Sequence, residues 1–172
     1  MMTNKELYRE FCKKNNQLPI FMMDWWLDAV CAGKEWDVML CVKRDDEEMR
    51  LLGDEAMRRE TEVPEEIVAA MPYLLRKRAW MQYILMPQQT QIGGIWMSED
   101  ITEDAEKVTT VCQQFARKLG EMGLSYYYQH YPIGSPAPQA MKTLGFKVKE
   151  RVTYRIEDLR DLDKVIGSFS KN

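Results

Sequence analysis

The order of strand-forming and helix-forming stretches between Trp36 and Glu157 constrains this chain more than any other feature. Residues 36–42 are apolar in succession and bounded by charge, which suits a strand covered on both faces. Residues 67–75 and 81–86 read as an antiparallel hairpin whose turn is the basic trio Arg76-Lys77-Arg78. The second hairpin strand then runs into Met86-Pro87-Gln88-Gln89-Thr90-Gln91-Ile92-Gly93-Gly94-Ile95-Trp96. Proline removes a ladder donor and paired glycines permit positive φ or close backbone approach, so the strand must bulge or bend away from its neighbour there. Val108, Val111, Cys112, Phe115, Leu119 and Met122 mark an amphipathic helix over 102–122 with Gly123 as its cap. An aromatic strand follows at 124–131, ended by Pro132, Gly134, Pro136 and Pro138. Ser135 caps a short helix ending at Leu144, Gly145 stops it, and 146–156 forms the last strand. Strands interleaved with helices in this way imply an α/β domain with a mixed, mostly antiparallel sheet flanked by helices.

Ahead of the sheet, Thr3-Asn4-Lys5-Glu6 has capping-box spacing and opens a helix to about residue 16. Ile20-Phe21-Met22 reads as a short strand, and Asp24 caps a second helix through residue 31 that Gly33 ends. Residues 43–66 change character: charges of both signs crowd a solvated insertion with one helical turn around 54–59. At 172 residues, 45% hydrophobic and 30% charged, the chain fits one domain over 1–158 around a single core.

A net charge of −3 supplies no basic field to steer the protein to DNA, RNA or anionic lipid. Cys12, Cys31, Cys41 and Cys112 are far apart among apolar neighbours, as reduced thiols of a cytoplasmic protein would be. No apolar run approaches the roughly 20 residues a membrane span needs. One histidine and scattered cysteines offer no metal-ligand spacing.

Few residues carry chemistry. His130 is of a type suited to general acid or base work, yet no Asp, Cys or Ser motif marks a partner for it in sequence. Tyr126 and Tyr128 share its strand parity and so its face, as cleft-lining groups or as core packing. Gln88, Gln89 and Gln91 beside Gly93 and Gly94 offer amides to a peptide-like or small-molecule ligand, or form a polar loop. In Trp25-Trp26, adjacent helical residues diverge by about 100°, so one must face the core.

Ala69-Ala70-Met71-Pro72-Tyr73, the Met86-Pro87 to Gly93-Gly94-Ile95-Trp96 segment and Asp24-Trp25-Trp26-Leu27 resemble the amino-terminal half of Fem-type proteins, a branch of the GNAT N-acetyltransferase superfamily. Leu144-Gly145-Phe146 is a superfamily-wide echo, and the resemblance covers most of 18–172 outside 43–66. It implies a GNAT-like acyl-CoA N-acyltransferase fold. It also implies acyl or aminoacyl transfer with acetyl-CoA or aminoacyl-tRNA as donor of the full enzyme, and residues 159–172 as a linker toward a second GNAT-like half. By the same analogy His130 and Tyr128 stand where two central strands splay and are the candidate catalytic pair. Gln89, Gln91, Gly93, Gly94 and Tyr126 are the candidate substrate-binding set. The superfamily's pyrophosphate loop, Arg/Gln-x-x-Gly-x-Gly/Ala, is absent. Glu99, Asp100, Glu103, Asp104 and Glu106 crowd the helix start that would hold the anion. Three readings follow: a substrate-facing transferase half that works with a second half or as a homodimer, an autonomous acetyl-CoA-dependent N-acetyltransferase, and a non-catalytic binding or assembly module.

Overall fold

The computed structural model describes residues 2–15, 17–31, 36–43, 49–52, 66–152 and 160–169. Helix α1 (Asn4–Lys14) begins at the expected capping box, with Thr3 Oγ1 accepting from Glu6 N and Glu6 Oε2 accepting from Thr3 N. Residues Ile20–Met22 form a 3₁₀ turn rather than a strand, because Pro19 sets a bend in which Met22 N reaches the Pro19 carbonyl. Helix α2 (Asp24–Val30) starts after Met23, so Asp24 is its first residue and makes no side-chain cap. Gly33 lies outside the described residues.

Among the described residues the sheet is mixed and has six strands: β1 (Trp36–Lys43), β2 (Met49–Leu51), β3 (Glu66–Arg78), β4 (Met81–Leu85), β5 (Trp96–Met97) and β6 (Tyr126–Tyr127). All pairs are antiparallel except β4 with β6, which is parallel. Strand β2 belongs to the charged insertion, where Met49 and Leu51 pack on the core; the helical turn expected at 54–59 lies outside the described residues. The three cations Arg76, Lys77 and Arg78 lie in β3 and are not the turn. Ala79 and Trp80 make the turn, Ala79 at φ 52, and a two-residue connection of this kind matches the twist of the flanking strands.

Strand β3 carries the key irregularity. One of its edges pairs β4 at Leu74↔Leu85 and β5 at Ala70↔Trp96. Over that stretch β3 advances four residues, Ala70 to Leu74, while the opposing chain takes eleven, Leu85 to Trp96. The expected bulge is therefore a full excursion over 86–95, and Pro72, which has no N–H, falls in the gap it leaves.

The expected long helix starts three residues late and is preceded by a separate short one. Helix α3 (Glu99–Thr102) is followed by a break at Glu103 and Asp104, and α4 (Ala105–Glu121) begins with Asp104 as its N-cap. Of the aromatic strand at 124–131 only β6 forms a ladder. Helix α5 (Ala137–Thr143) starts after Pro136 with no side-chain cap, and Gly145 lies beyond it at φ +93. The final strand is not formed over 146–152: this stretch has no ladder partner and is exposed after Phe146. Residues 153–156 lie outside the described residues. Within 159–172, read as a linker, Leu162–Ser168 is helical (α6) and buries none of its residues.

Two apolar layers sandwich the sheet. On one side Met39, Cys41, Ala69, Met71 and Ile84 meet Val108, Val111, Cys112, Phe115 and Leu119 of α4 and Met141 of α5. On the other, Val38, Leu40, Val42, Ala70 and Leu74 meet Tyr8 and Cys12 of α1 and Leu27 of α2. Strand β1 is thus covered on both faces, as its unbroken apolar run requires. All four cysteines are buried, and none forms a disulfide. Among the described residues no helix is long and apolar enough to cross a membrane.

Candidate functional site

The excursion over 86–95 and the run 128–131 meet beyond the parallel pairing of β4 with β6. Tyr128 N donates to Ile84 O at 2.9 Å, the last bond before the strands part, and Gly93 N donates to His130 O at 2.7 Å. Two glycines make this approach feasible. A β-carbon at Gly93 would fall 2.5 Å from Gln129 Oε1, and one at Gly94, which sits at φ +78, 2.6 Å from the Tyr131 ring. The Gln129 amide oxygen also accepts from Gly94 N at 3.3 Å. From below, Thr90 anchors the excursion by accepting from Trp26 Nε1 at 3.1 Å, while Trp25 remains half exposed. Beneath the excursion a cavity of about 10 Å³ lies among Met22, Leu27, Met86, Pro87, Thr90 and Gln129.

His130 is half-buried at this seam. Its Nε2 lies 2.8 Å from Tyr128 Oη and its Nδ1 3.3 Å from the Gln91 carbonyl oxygen. A carbonyl only accepts, so in the neutral ring Nδ1 carries the proton and Nε2 accepts from the Tyr128 hydroxyl. Arg151 Nη2 donates to the same phenol oxygen at 2.8 Å. The result is a directed path from a guanidinium to a phenol to an imidazole to a backbone carbonyl. A phenol held this way can pass its proton to the imidazole while the guanidinium favours negative charge on the oxygen left behind. Among the described residues no carboxylate takes part.

Behind the path stand two buried phenols. Tyr127 and Tyr131 hydroxyls lie 3.2 Å apart, and burial pushes the first well above the ordinary tyrosine range and the second up to about 12. They stay protonated and serve as packing, with Phe146 edge-on to Tyr127.

Of the residues singled out in sequence, the fold brings Tyr128, His130 and Gln91 into contact, Gln91 through its carbonyl rather than its amide. Tyr126 stacks on Tyr128 with ring centroids 6.3 Å apart. Gly93 and Gly94 are buried behind the seam, covered by Gln129 and Tyr131, and Gln89 forms an exposed corner at φ 60. Arg151 and Gln129 were not anticipated. Arg151 is 23 residues from Tyr128 in a stretch of alternating charge, and nothing local in the sequence distinguishes it from its neighbours.

At the start of α4 two of the backbone amides that would face an anion are occupied. Asp104 Oδ1 accepts from Glu106 N at 2.9 Å and from Lys107 N at 3.2 Å. Among the described residues no three His, Cys, Asp or Glu side chains gather as a metal-binding group. Comparison with protein-family models, curated proteins and solved structures finds no match to the chain.

Proposed function

We propose that this chain is an acyl or aminoacyl transferase domain of the N-acetyltransferase type, Fem-like in layout, whose Tyr128–His130 seam faces the acceptor substrate. The observation that carries the reading is the phenol–imidazole pair at 2.8 Å where two parallel strands part, with Arg151 on the phenol oxygen. In the reaction, an acceptor amine attacks the acyl carbonyl of an activated ester or thioester; a C–N bond forms and the C–O or C–S bond breaks. The amine proton passes to the Tyr128 oxygen as the tyrosyl proton moves to His130 Nε2, and the leaving alkoxide or thiolate takes a proton back from the imidazolium through Tyr128, which restores the neutral pair. Tyr128 is the group that touches substrate, and His130 is its proton acceptor. The donor is an aminoacyl ester in preference to acetyl-CoA, because Asp104 already caps the helix where a pyrophosphate would bind.

The chain has one histidine, so its imidazole resonances test the reading directly. Titration with a 3′-aminoacylamino-adenosine, a stable analogue of an aminoacyl ester, is expected to shift them saturably, and CoA is expected not to. Saturable movement with acetyl-CoA would replace this reading with an autonomous acetyltransferase. Resonances unmoved by the donor analogue, by acetyl-CoA and by small peptide amines would overturn it.

An assembly role has one observation in its favour. Leu162 and Ile166 of α6 and Phe169 at its C-cap recur at helical spacing and are each about 60% exposed. Sedimentation of the full chain tests that role, for which a concentration-dependent dimer lost in Ile166→Lys is the expected result.

A further inference from the structure

The sheet face shared by β3, β4 and β6 on the α1 side holds, beside Tyr128, a set of residues that the transferase reading does not use. Leu75, Ile84 and Tyr127 point into the α4-side core, so their strand neighbours Arg76, Tyr83, Tyr126 and Tyr128 project to the opposite side. The registers Arg76↔Tyr83 and Tyr83↔Tyr126 place one arginine and two tyrosines in a row across three strands. Arg78 follows Arg76 on the same face, and Arg151 reaches Tyr128 from outside the sheet. On this side α1 packs on β1, and Tyr126 is left 56% exposed.

The cations are unopposed. The strand segments 74–78, 81–85 and 126–131 contain no Asp or Glu. Neither Arg76 nor Arg78 has an ion pair among the described residues, and Arg76 Nε is buried there with no hydrogen-bond partner. A buried guanidinium nitrogen left without an acceptor is costly. A ligand that brings an anionic oxygen would remove that cost. At the tip of the same hairpin Trp80 is 85% exposed.

We propose that this face binds nucleotides, with a base stacked on Tyr126 and its phosphate held by Arg76 and Arg78. An acidic peptide would satisfy the arginines but not use the stacked rings, and an apolar peptide would use the rings but strand the charges. A nucleobase joined to a phosphate answers both. The chain's overall charge of −3 does not oppose this, since salt screens charges beyond about 8 Å and the groups on these strands are cationic or neutral. Arg76, Tyr83 and Tyr126 take no part in the proton path through His130, although Tyr126 stacks on Tyr128, so nucleotide binding is tested without reference to acyl transfer.

The test is fluorescence anisotropy of a labelled oligouridylate with the full chain, with AMP as competitor. Saturable binding is expected, weaker by about seven- to twentyfold at 200 mM than at 50 mM salt if two or three phosphates are contacted. Tyr126→Ala and Arg76→Gln should each weaken binding about tenfold. Tyr126→Phe, which keeps the ring, and Lys13→Gln on α1 should not. Circular dichroism and melting establish that each variant is folded. Displacement by AMP assigns the site to free nucleotides, and displacement only by unlabelled oligonucleotide assigns it to single strands. No binding of either, or binding indifferent to both Tyr126→Ala and Arg76→Gln, overturns the proposal.

Discussion

The Tyr131 ring lies against the α-carbon of Gly94, so close that a β-carbon there would stand 2.6 Å from ring carbon Cε1. Gly94 also adopts φ +78, a region that L side chains rarely enter. Gly94→Ala should therefore destabilise the fold by about 2–4 kcal/mol, combining backbone strain with overpacking. Urea unfolding measures it. Adding Tyr131→Ala should recover the steric part, visible as a favourable coupling in a double-mutant cycle. Additive losses would show that the ring and the glycine do not compete for space.

The proton path makes a prediction about tautomer. Because Gln91 O accepts from Nδ1, neutral His130 should show the Nδ1–H form in ¹⁵N spectra of the imidazole. Removing the Tyr128 hydroxyl in Tyr128→Phe should shift Nε2 most, and Arg151→Gln should shift it less, since Arg151 acts through the phenol. An Nε2–H tautomer in the unsubstituted protein would refute the path.

Thiol chemistry should be slow in the folded state. Burial pushes Cys12 and Cys112 up to about 11 and Cys41 up to about 12, and the reactive species is the thiolate. At pH 8 the folded chain should react negligibly with an aromatic disulfide reagent. After unfolding in guanidinium it should release four equivalents of chromophore. Rapid reaction without denaturant would contradict the burial.

Stability should fall at alkaline pH. Tyr131 is held up to about 12 in the folded chain, chiefly by burial, against about 10 in an unfolded one. Tyr8 and Tyr127 are raised as well, also chiefly by burial. Above pH 10 the unfolded state binds fewer protons than the folded state, so unfolding free energy decreases as pH rises. The protection is complete below pH 10 and, for Tyr131, is lost between about 10 and 12. Melting temperature followed from pH 8 to 11.5 tests this, and Tyr131→Phe should flatten the decline.

The Asp104 cap should contribute about 0.5–2 kcal/mol, measured as the loss in Asp104→Ala. Asp104→Asn keeps an acceptor oxygen and should lose little, which separates the hydrogen bonds from the charge.

Local signals proved reliable where a single element decides its own structure. The Thr3–Glu6 box closes as its spacing requires, and Val108 to Leu119 face the sheet at helical period. Trp25 and Trp26 diverge, the second reaching Thr90 and the first facing solvent. Signals failed where a distant partner decides. Arg76 to Arg78 look like a turn in isolation but extend a strand because β4 is there to pair with them. The run 146–152 has the residues of a strand but no edge that takes it up, and strand propensity without a ladder does not hold a strand. Asp104 was legible as one acid in a cluster, yet its capping geometry depends on the break after α3.

The candidate site divides along the same line. Tyr126, Tyr128 and His130 lie side by side, as their alternate spacing suggested, although only Tyr126 stands in a strand. That Gln91 offers a carbonyl to His130 from 39 residues away, and that Arg151 closes on Tyr128, depends on how the 86–95 excursion and the chain after α5 pack. Neighbours along the chain settle the alternating apolar faces and the capping box that opens α1, and they mark the glycines that close packing explains. Which polar atoms meet is settled by packing between distant segments. Hydrogen bonds are directional and short-ranged, and the distances that make a proton path are set by packing between segments that sequence spacing does not relate.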